Sequence, residues 1–245
     1  MLKPSVNSAL GMMVWGCAAT AVAWDQSISQ LPFSQAEFQR FSEELGAGLH
    51  YKALAPAEPL GLLGFDLGLE ASVSDLTAGD LFRRANRQGD VWDTLYLTRF
   101  HAHKGLPFGI DVGLSYALTP QGDLTVWGGE LRYALWSGNV LWPALAVRGT
   151  YAKLGGTAAL DLDTSSLELT ASKGFLMLTP YAGIGYVWTQ ASPQAQAAAA
   201  LQAVDSAQLK TYIGANLNLF PLNLAAELEN TGGVNTASLK LGMRF

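Results

Sequence analysis

The side chains best placed to do chemistry are ionisable groups set at even spacings within otherwise apolar segments. Asp66 and Glu70, Arg99 and His101, Asp111, Glu130 and Arg132, Arg148 and Glu168, Lys210, Glu227 and Glu229, and Lys240 and Arg244 each take the polar side of an alternating stretch. Turned inward from a closed wall, such groups either pair into a salt-bridge network that fills the interior or ring a constriction that filters ions. Both signs interleave, so strong selectivity for one ion charge is not expected. The histidines are His50, His101 and His103. His101 and His103 share one strand face, but two imidazoles are a thin metal site and no inward cysteine completes it. The expectation is no metal and a solvated pair near a turn. A nucleophilic hydroxyl must lie within hydrogen-bond reach of its base, and strand register sets no serine beside these histidines. Neither an enzyme nor a cofactor is expected.

The elements that carry these groups alternate with period two, which sends successive side chains to opposite faces of a strand. Leu63, Phe65, Leu67, Leu69, Ala71 and Val73 interleave with Gly64, Asp66, Gly68, Glu70, Ser72 and Ser74. The pattern recurs over 108–118, 127–135 and 222–228, and more noisily near 91–103, 140–152, 160–172, 176–189 and 208–219. All but the shorter 222–228 have the roughly 9–11 residues that a tilted membrane strand needs. In 91–103, Leu95 and Leu97 share the face of Arg99, His101 and His103; in 160–172 the parity changes between Thr164 and Leu167, which suggests a bulge or a late start. Trp92, Trp127, Trp136, Trp142, Tyr151 and Trp188 gather towards strand ends, as interfacial girdles do.

Charged residues make up only 14% of the 245 positions and hydrophobic ones 49%, against about 25% charged in ordinary globular chains. Beyond the N-terminus no apolar run reaches the roughly 18 residues of a membrane helix. Spanning by strands requires a closed barrel, because lipid leaves no partner for an open sheet edge. The net charge of −5 points to no nucleic-acid partner.

The last residues sharpen this reading. Ala237, Leu239, Leu241, Met243 and Phe245 alternate with Ser238, Lys240, Gly242 and Arg244, and the chain ends on the aromatic ring. Leu239, Leu241, Met243 and Phe245 resemble the closing strand of bacterial outer-membrane β-barrels. That resemblance implies recognition of Phe245 by the barrel-insertion machinery, outer-membrane lipids and lipopolysaccharide as surroundings, and a monomer. At the other end, Lys3, the apolar run through Leu10–Trp15 and Ala21-Val22-Ala23 read as a cleavable signal peptide over 1–23. An acylated Cys17 is the competing reading, disfavoured by bulky Trp15 where a small residue belongs.

The expected fold is therefore all-β: an antiparallel up-and-down transmembrane barrel of about ten strands, with twelve as the alternative, over 61–245. Residues 24–60 form a plug or periplasmic cap. Within them Ser34 and Glu37 make a capping box before a short amphipathic helix, about 34–45, with Phe38, Phe41 and Leu45 on one face. An extra strand-like piece spans 46–53. The closing strand runs towards the periplasm, which puts the 75–90 and 190–206 connections outside. Ser192-Pro193 followed by an alanine run suggests a helix in the latter, and Arg83, Arg84 and Arg87 in the former are candidates for lipopolysaccharide phosphates. The architecture is similar to that of the long-chain fatty-acid transport family, without its N-terminal motif. The omptin proteases use a rim histidine on the outer side, whereas His101 and His103 fall near a periplasmic turn. A narrow channel or small hydrophobic-solute conduit with a plugged or gated lumen is the leading function. A non-conducting structural or surface-binding barrel is the alternative, and an envelope enzyme the third.

Overall fold

A computed structural model describes residues 28–86, 93–119, 124–194 and 200–245. Among the described residues one helix, α1 (Gln35–Leu49), precedes ten strands: β1 (Phe65–Asp75), β2 (Thr94–Gly105), β3 (Ile110–Leu118), β4 (Thr125–Trp136), β5 (Ala144–Gly155), β6 (Leu160–Ser172), β7 (Leu178–Pro193), β8 (Val204–Leu219), β9 (Leu222–Thr231) and β10 (Val234–Arg244). A short helix, α2 (Gly79–Ala85), lies in the β1–β2 connection. Every strand pairs antiparallel with its sequence neighbours, and β1 closes on β10 from Asp66↔Arg244 to Asp75↔Asn235. Closure leaves no unpaired edge, which is the condition for strands in lipid. No described helix is long and apolar enough to cross a membrane.

The two ends differ. At the turn side, connections follow β2, β4, β6 and β8; at the loop side lie the longer links after β1 and β7. Leu67, Leu69, Phe100, Leu114, Leu131, Leu167, Ile213, Leu228, Leu241 and Met243 are exposed on the outer wall, as expected from their parity. Outward ionisable groups among the described strand residues sit at strand ends, as in the Lys153–Asp163 pair. Trp127, Trp136, Trp142, Tyr151 and Trp188 are all outward and exposed. Trp92, Arg87, Cys17 and the whole of 1–23 lie outside the described residues.

Four expectations are corrected. The alternation at 46–53 is not a strand: α1 continues to Leu49, and 51–60 run as irregular chain inside the barrel. Surrounded by wall, both sides of that segment are buried, so its alternation had no face to mark. The parity change in β6 is not a bulge, since its registers with β5 and β7 run unbroken. The irregularity falls instead in β4, between Ala134 and Trp136. Ser192 and Pro193 do not begin a helix; they pair with Asp161 and Leu160 at the end of β7. The middle of that expected helix, 195–199, lies outside the described residues. The pair His101 and His103 is not solvated: both rings are buried in the lumen.

Candidate functional site: a lumen filled by the chain's own N-terminal segment

The segment 28–60 enters at the loop side, descends through the barrel and leaves at the turn side to begin β1. At the loop side Ser29 N donates to Ala85 O at 3.0 Å, and Thr157 Oγ1 donates to Ile28 O at 2.7 Å. At the turn side Phe65 N donates to Phe245 O at 3.1 Å.

The loop-side half of the lumen is an apolar seat for α1. Ser34 caps the helix through the full capping box with Glu37, satisfying backbone N–H groups that the helix itself cannot. The Ser34 N–H held by the Glu37 carboxylate, with Arg84 at 2.5 Å adding to it, pulls that carboxyl down to about 2. Phe38, Phe41, Leu45 and Leu49 follow at helical spacing and are fully enclosed. Phe41 packs on Phe33 and Phe82, with ring centroids 5.1 and 4.7 Å away. The wall answers with Leu95, Leu97, Val126, Leu154, Leu160, Leu162, Val204 and Val234, all in the same core cluster. Here is the reason Leu95 and Leu97 share a face with Arg99: the inward face of β2 changes chemistry along its length. Gly46 lies so close to Thr189, and Gly48 to Leu95, that a Cβ at either position meets those side chains at 2.3 and 2.5 Å. Glu44 accepts from Thr77 N and Ala78 N at 2.8 Å each, tying the helix to the β1–β2 connection.

The turn-side half is ionic, and it holds the descending chain by its backbone. Arg99 donates to His50 O at 3.1 Å, Arg148 to Ala55 O at 3.1 Å, Arg132 to Pro56 O at 2.6 Å and Arg244 to Glu58 O at 3.4 Å. Ser172 Oγ accepts from Ala57 N at 3.0 Å, and Asp111 accepts from Leu60 N at 3.1 Å. Irregular buried backbone must find such partners or forfeit its hydrogen bonds. Leu54 is held at φ 41, a left-handed conformation that a branched residue tolerates only when its surroundings dictate it.

Between these bonds most of the expected lumen residues pair into three groups. Arg132 grips Asp111 through two nitrogens at 3.0 and 2.7 Å. Arg148 bridges Glu130 at 3.4 Å and Glu168 at 3.6 Å; Lys210 bridges Glu168 at 2.9 Å and Glu229 at 3.2 Å. Arg99 meets Glu70 at 3.2 Å, Lys240 meets Asp66 at 2.8 Å, and His101 sits between Asp66 at 3.2 Å and Glu70 at 3.0 Å. Among the described residues Glu227 alone of these carboxylates has no cation within ion-pair distance.

Sequence reasoning missed the plug's own contribution. Lys52 reaches Glu229 at 3.1 Å, His50 Nε2 reaches the same carboxylate at 3.2 Å, and Tyr51 OH meets His103 Nε2 at 2.8 Å. The available signal was Lys52 itself, one cation in an apolar stretch after a helix. The inward tyrosines were also missed: Tyr212 lies over Gly183 and Tyr181 over Gly214, where a Cβ is excluded. An inward glycine beside a ring of matching parity marks such seats.

No family model matches this sequence, and no curated relative does. Solved structures with a similar fold include the KdgM porin, 7% identical over 74% of this chain and 99% of that one with a TM-score of 0.39. They also include Ail, the attachment invasion locus protein of Yersinia pestis, at 13% identity over 74% and 97% with a TM-score of 0.34. Omp33 of Acinetobacter baumannii is similar at 7% over 81% and 100%, also with a TM-score of 0.34. Likeness of this degree concerns fold and carries no argument about activity. The geometry itself defines the class: a closed ten-stranded up-and-down barrel of the outer-membrane type, its lumen occupied by its own N-terminal segment.

Proposed function

We propose that this protein is a bacterial outer-membrane channel closed from within, passing small solutes only when the segment 28–60 withdraws. One observation carries the reading. On the turn-side half the wall bears far more paired charge than the plug backbone needs for its hydrogen bonds. A seat made only to hold a permanent plug is adequately built from apolar contacts, as the loop-side half is. A wall polar on every strand suits a hydrated passage. Export through the signal peptide 1–23, insertion through Phe245 with Leu239, Leu241 and Met243, a monomeric state and lipopolysaccharide around the loop side belong to this reading. Among the described residues of the β1–β2 connection, Arg83 is the exposed arginine left for lipid phosphates, since Arg84 is spent on Glu37 and the Phe33 ring.

Conductance of the folded protein in planar bilayers, intact and lacking 24–60, tests it. The intact form is expected to be silent and the shortened form to conduct. If neither conducts, the channel reading fails. The second reading, a closed barrel acting through its outer surface, is favoured by the four arginines that bond the plug backbone and takes its place in that event. No catalytic chemistry is proposed: among the described residues the hydrogen-bond partners of the three histidines are Glu229, the Ala47 carbonyl, Lys52, Tyr51 and Asp66, none of them a serine or threonine hydroxyl. Orientation has its own test: an epitope placed ahead of residue 28 should be reached by antibody on intact cells, and protection of that epitope would invert the topology.

A further inference from the structure

We propose that Asp66, His101 and His103 form a binding site for one borderline divalent metal ion of the Zn2+ type, at the turn-side half of the lumen. A nitrogen of each ring and a carboxylate oxygen of Asp66 lie within 4.8 Å of one another, and all three residues are buried. Two neighbouring strands place them: Asp66 on β1 stands opposite His103 on β2, and His101 follows on the same inward face. The rings lie side by side with centroids 4.9 Å apart.

A second observation points to the same place. His101 Nδ1, His103 Nδ1 and the neighbouring Glu70 Oε1 are buried polar atoms without a hydrogen-bond partner, and they gather at this cluster. Buried polar atoms left unpaired are costly, and a concentration of them at one place asks for an ion or water. His101 Nδ1 does approach Glu70 Oε1 at 3.0 Å, but without hydrogen-bond alignment, and Glu130 stands 3.7 Å from His103 Nε2, beyond hydrogen-bond reach and already paired with Arg148.

The donor set selects the ion. Two imidazoles and one carboxylate, with no thiolate, suit Zn2+, Cu2+ or Ni2+ rather than Ca2+ or Mg2+. The carboxylate can serve two cations at once, since Asp66 Oδ1 faces His101 while Oδ2 is held by Lys240 at 2.8 Å. Glu70 and Glu130 stand by to offset the added charge against Arg99 and Arg148. Tyr51 takes the outer position: its hydroxyl fixes His103 Nε2, and such partners orient ligating imidazoles. The plug thereby contributes to the site through Tyr51. This inference does not depend on whether the barrel conducts.

The test uses the full folded chain in detergent micelles, carrying C17S and stripped with chelator, titrated with Zn2+ by calorimetry and with Co2+ by visible absorption. One ion per chain is expected, with a Co2+ spectrum of low-symmetry nitrogen and oxygen coordination. H101A, H103Q and D66N should each abolish it, Y51F should weaken it by about 10-fold, and H50A should leave it unchanged. Heat-modifiable gel mobility establishes which variants fold; should H101A not fold, H103Q and D66N decide. No stoichiometric binding by the folded parent, or binding that survives H103Q and D66N, overturns the site.

Discussion

The two halves of the lumen hold the same segment by opposite means. Near the loops, α1 is seated by shape: Phe38, Phe41 and Leu45 fill a wall of leucine, valine and alanine, with Gly46 and Gly48 pressed against it. Near the turns, no regular element fills the space, and arginines reach across to bond carbonyls of an irregular chain. Apolar seating is worth a great deal per ring but is indifferent to small changes of direction. Buried charge adds little net stability to a complete set, yet removal of one partner strands the other in a medium that cannot solvate it. Affinity for the plug therefore resides on the loop side, while register and exactness of path reside on the turn side.

The sharpest way to break this comparison is at Phe41. Phe41→Ala should cost about 3–5 kcal/mol of plug seating through the lost ring and the cavity left behind. Protease cleavage within 35–60 of otherwise folded barrels measures it, and resistance equal to the parent would deny the seat its role. A conservative change should separate the halves next. Arg132→Lys keeps the charge but loses the two-nitrogen grip on Asp111 and the bond to Pro56 O, for about 1–3 kcal/mol. Leu45→Met, also conservative, should cost less than about 1.5 kcal/mol. Denaturant titrations that rank them the other way would reverse the comparison.

Smaller still is the cap. Ser34→Ala should cost about 1 kcal/mol of helix stability. Because the folded carboxyl of Glu37 lies at about 2, below its ordinary 4.5, its contribution is present above pH 4.5. It is lost as pH falls towards 2. The pH dependence of plug protection in that window should therefore shrink in Glu37→Gln. The smallest effect has the opposite sign. Glu227 is buried without a cation, so Glu227→Gln should leave stability unchanged or raise it slightly, whereas Glu229→Gln strips a shared partner from Lys52 and Lys210 and should lower it. Equal losses at both positions would show that Glu227 is paired in solution.

Much of this architecture was readable from residue order. Period-two alternation located ten strands because lipid outside and polar groups inside impose opposite demands on adjacent residues. The Ser34–Glu37 pair marked the helix start because capping is a local affair. What could not be read follows from the plug. Leu160 and Leu162 looked like a parity error because an inward apolar residue makes sense only when α1 lies beside it. The segment 46–53 looked like a strand because a helix end and the irregular chain after it, buried on all sides, have no solvent face to reveal their conformation. The gathering of Asp66, His101 and His103 required the β1–β2 register, which sequence spacing does not supply. The partners of Lys52 and Tyr51 were hidden for the same reason: Glu229 and His103 are distant in the chain.

The central claim, that the N-terminal segment itself closes the passage, is tested most directly by locking it in place. A Cβ built at Gly46 falls 3.0 Å from the Thr189 Cβ, closer than the roughly 3.5–4.5 Å of a disulfide, so G46C with T189C should tie α1 to β7 after a small outward shift of the helix. Placed on the loosened Phe41→Ala background with C17S, the barrel should be silent in a planar bilayer when oxidised and conduct after reduction. Identical traces in both states, whether conducting or silent, would contradict the account.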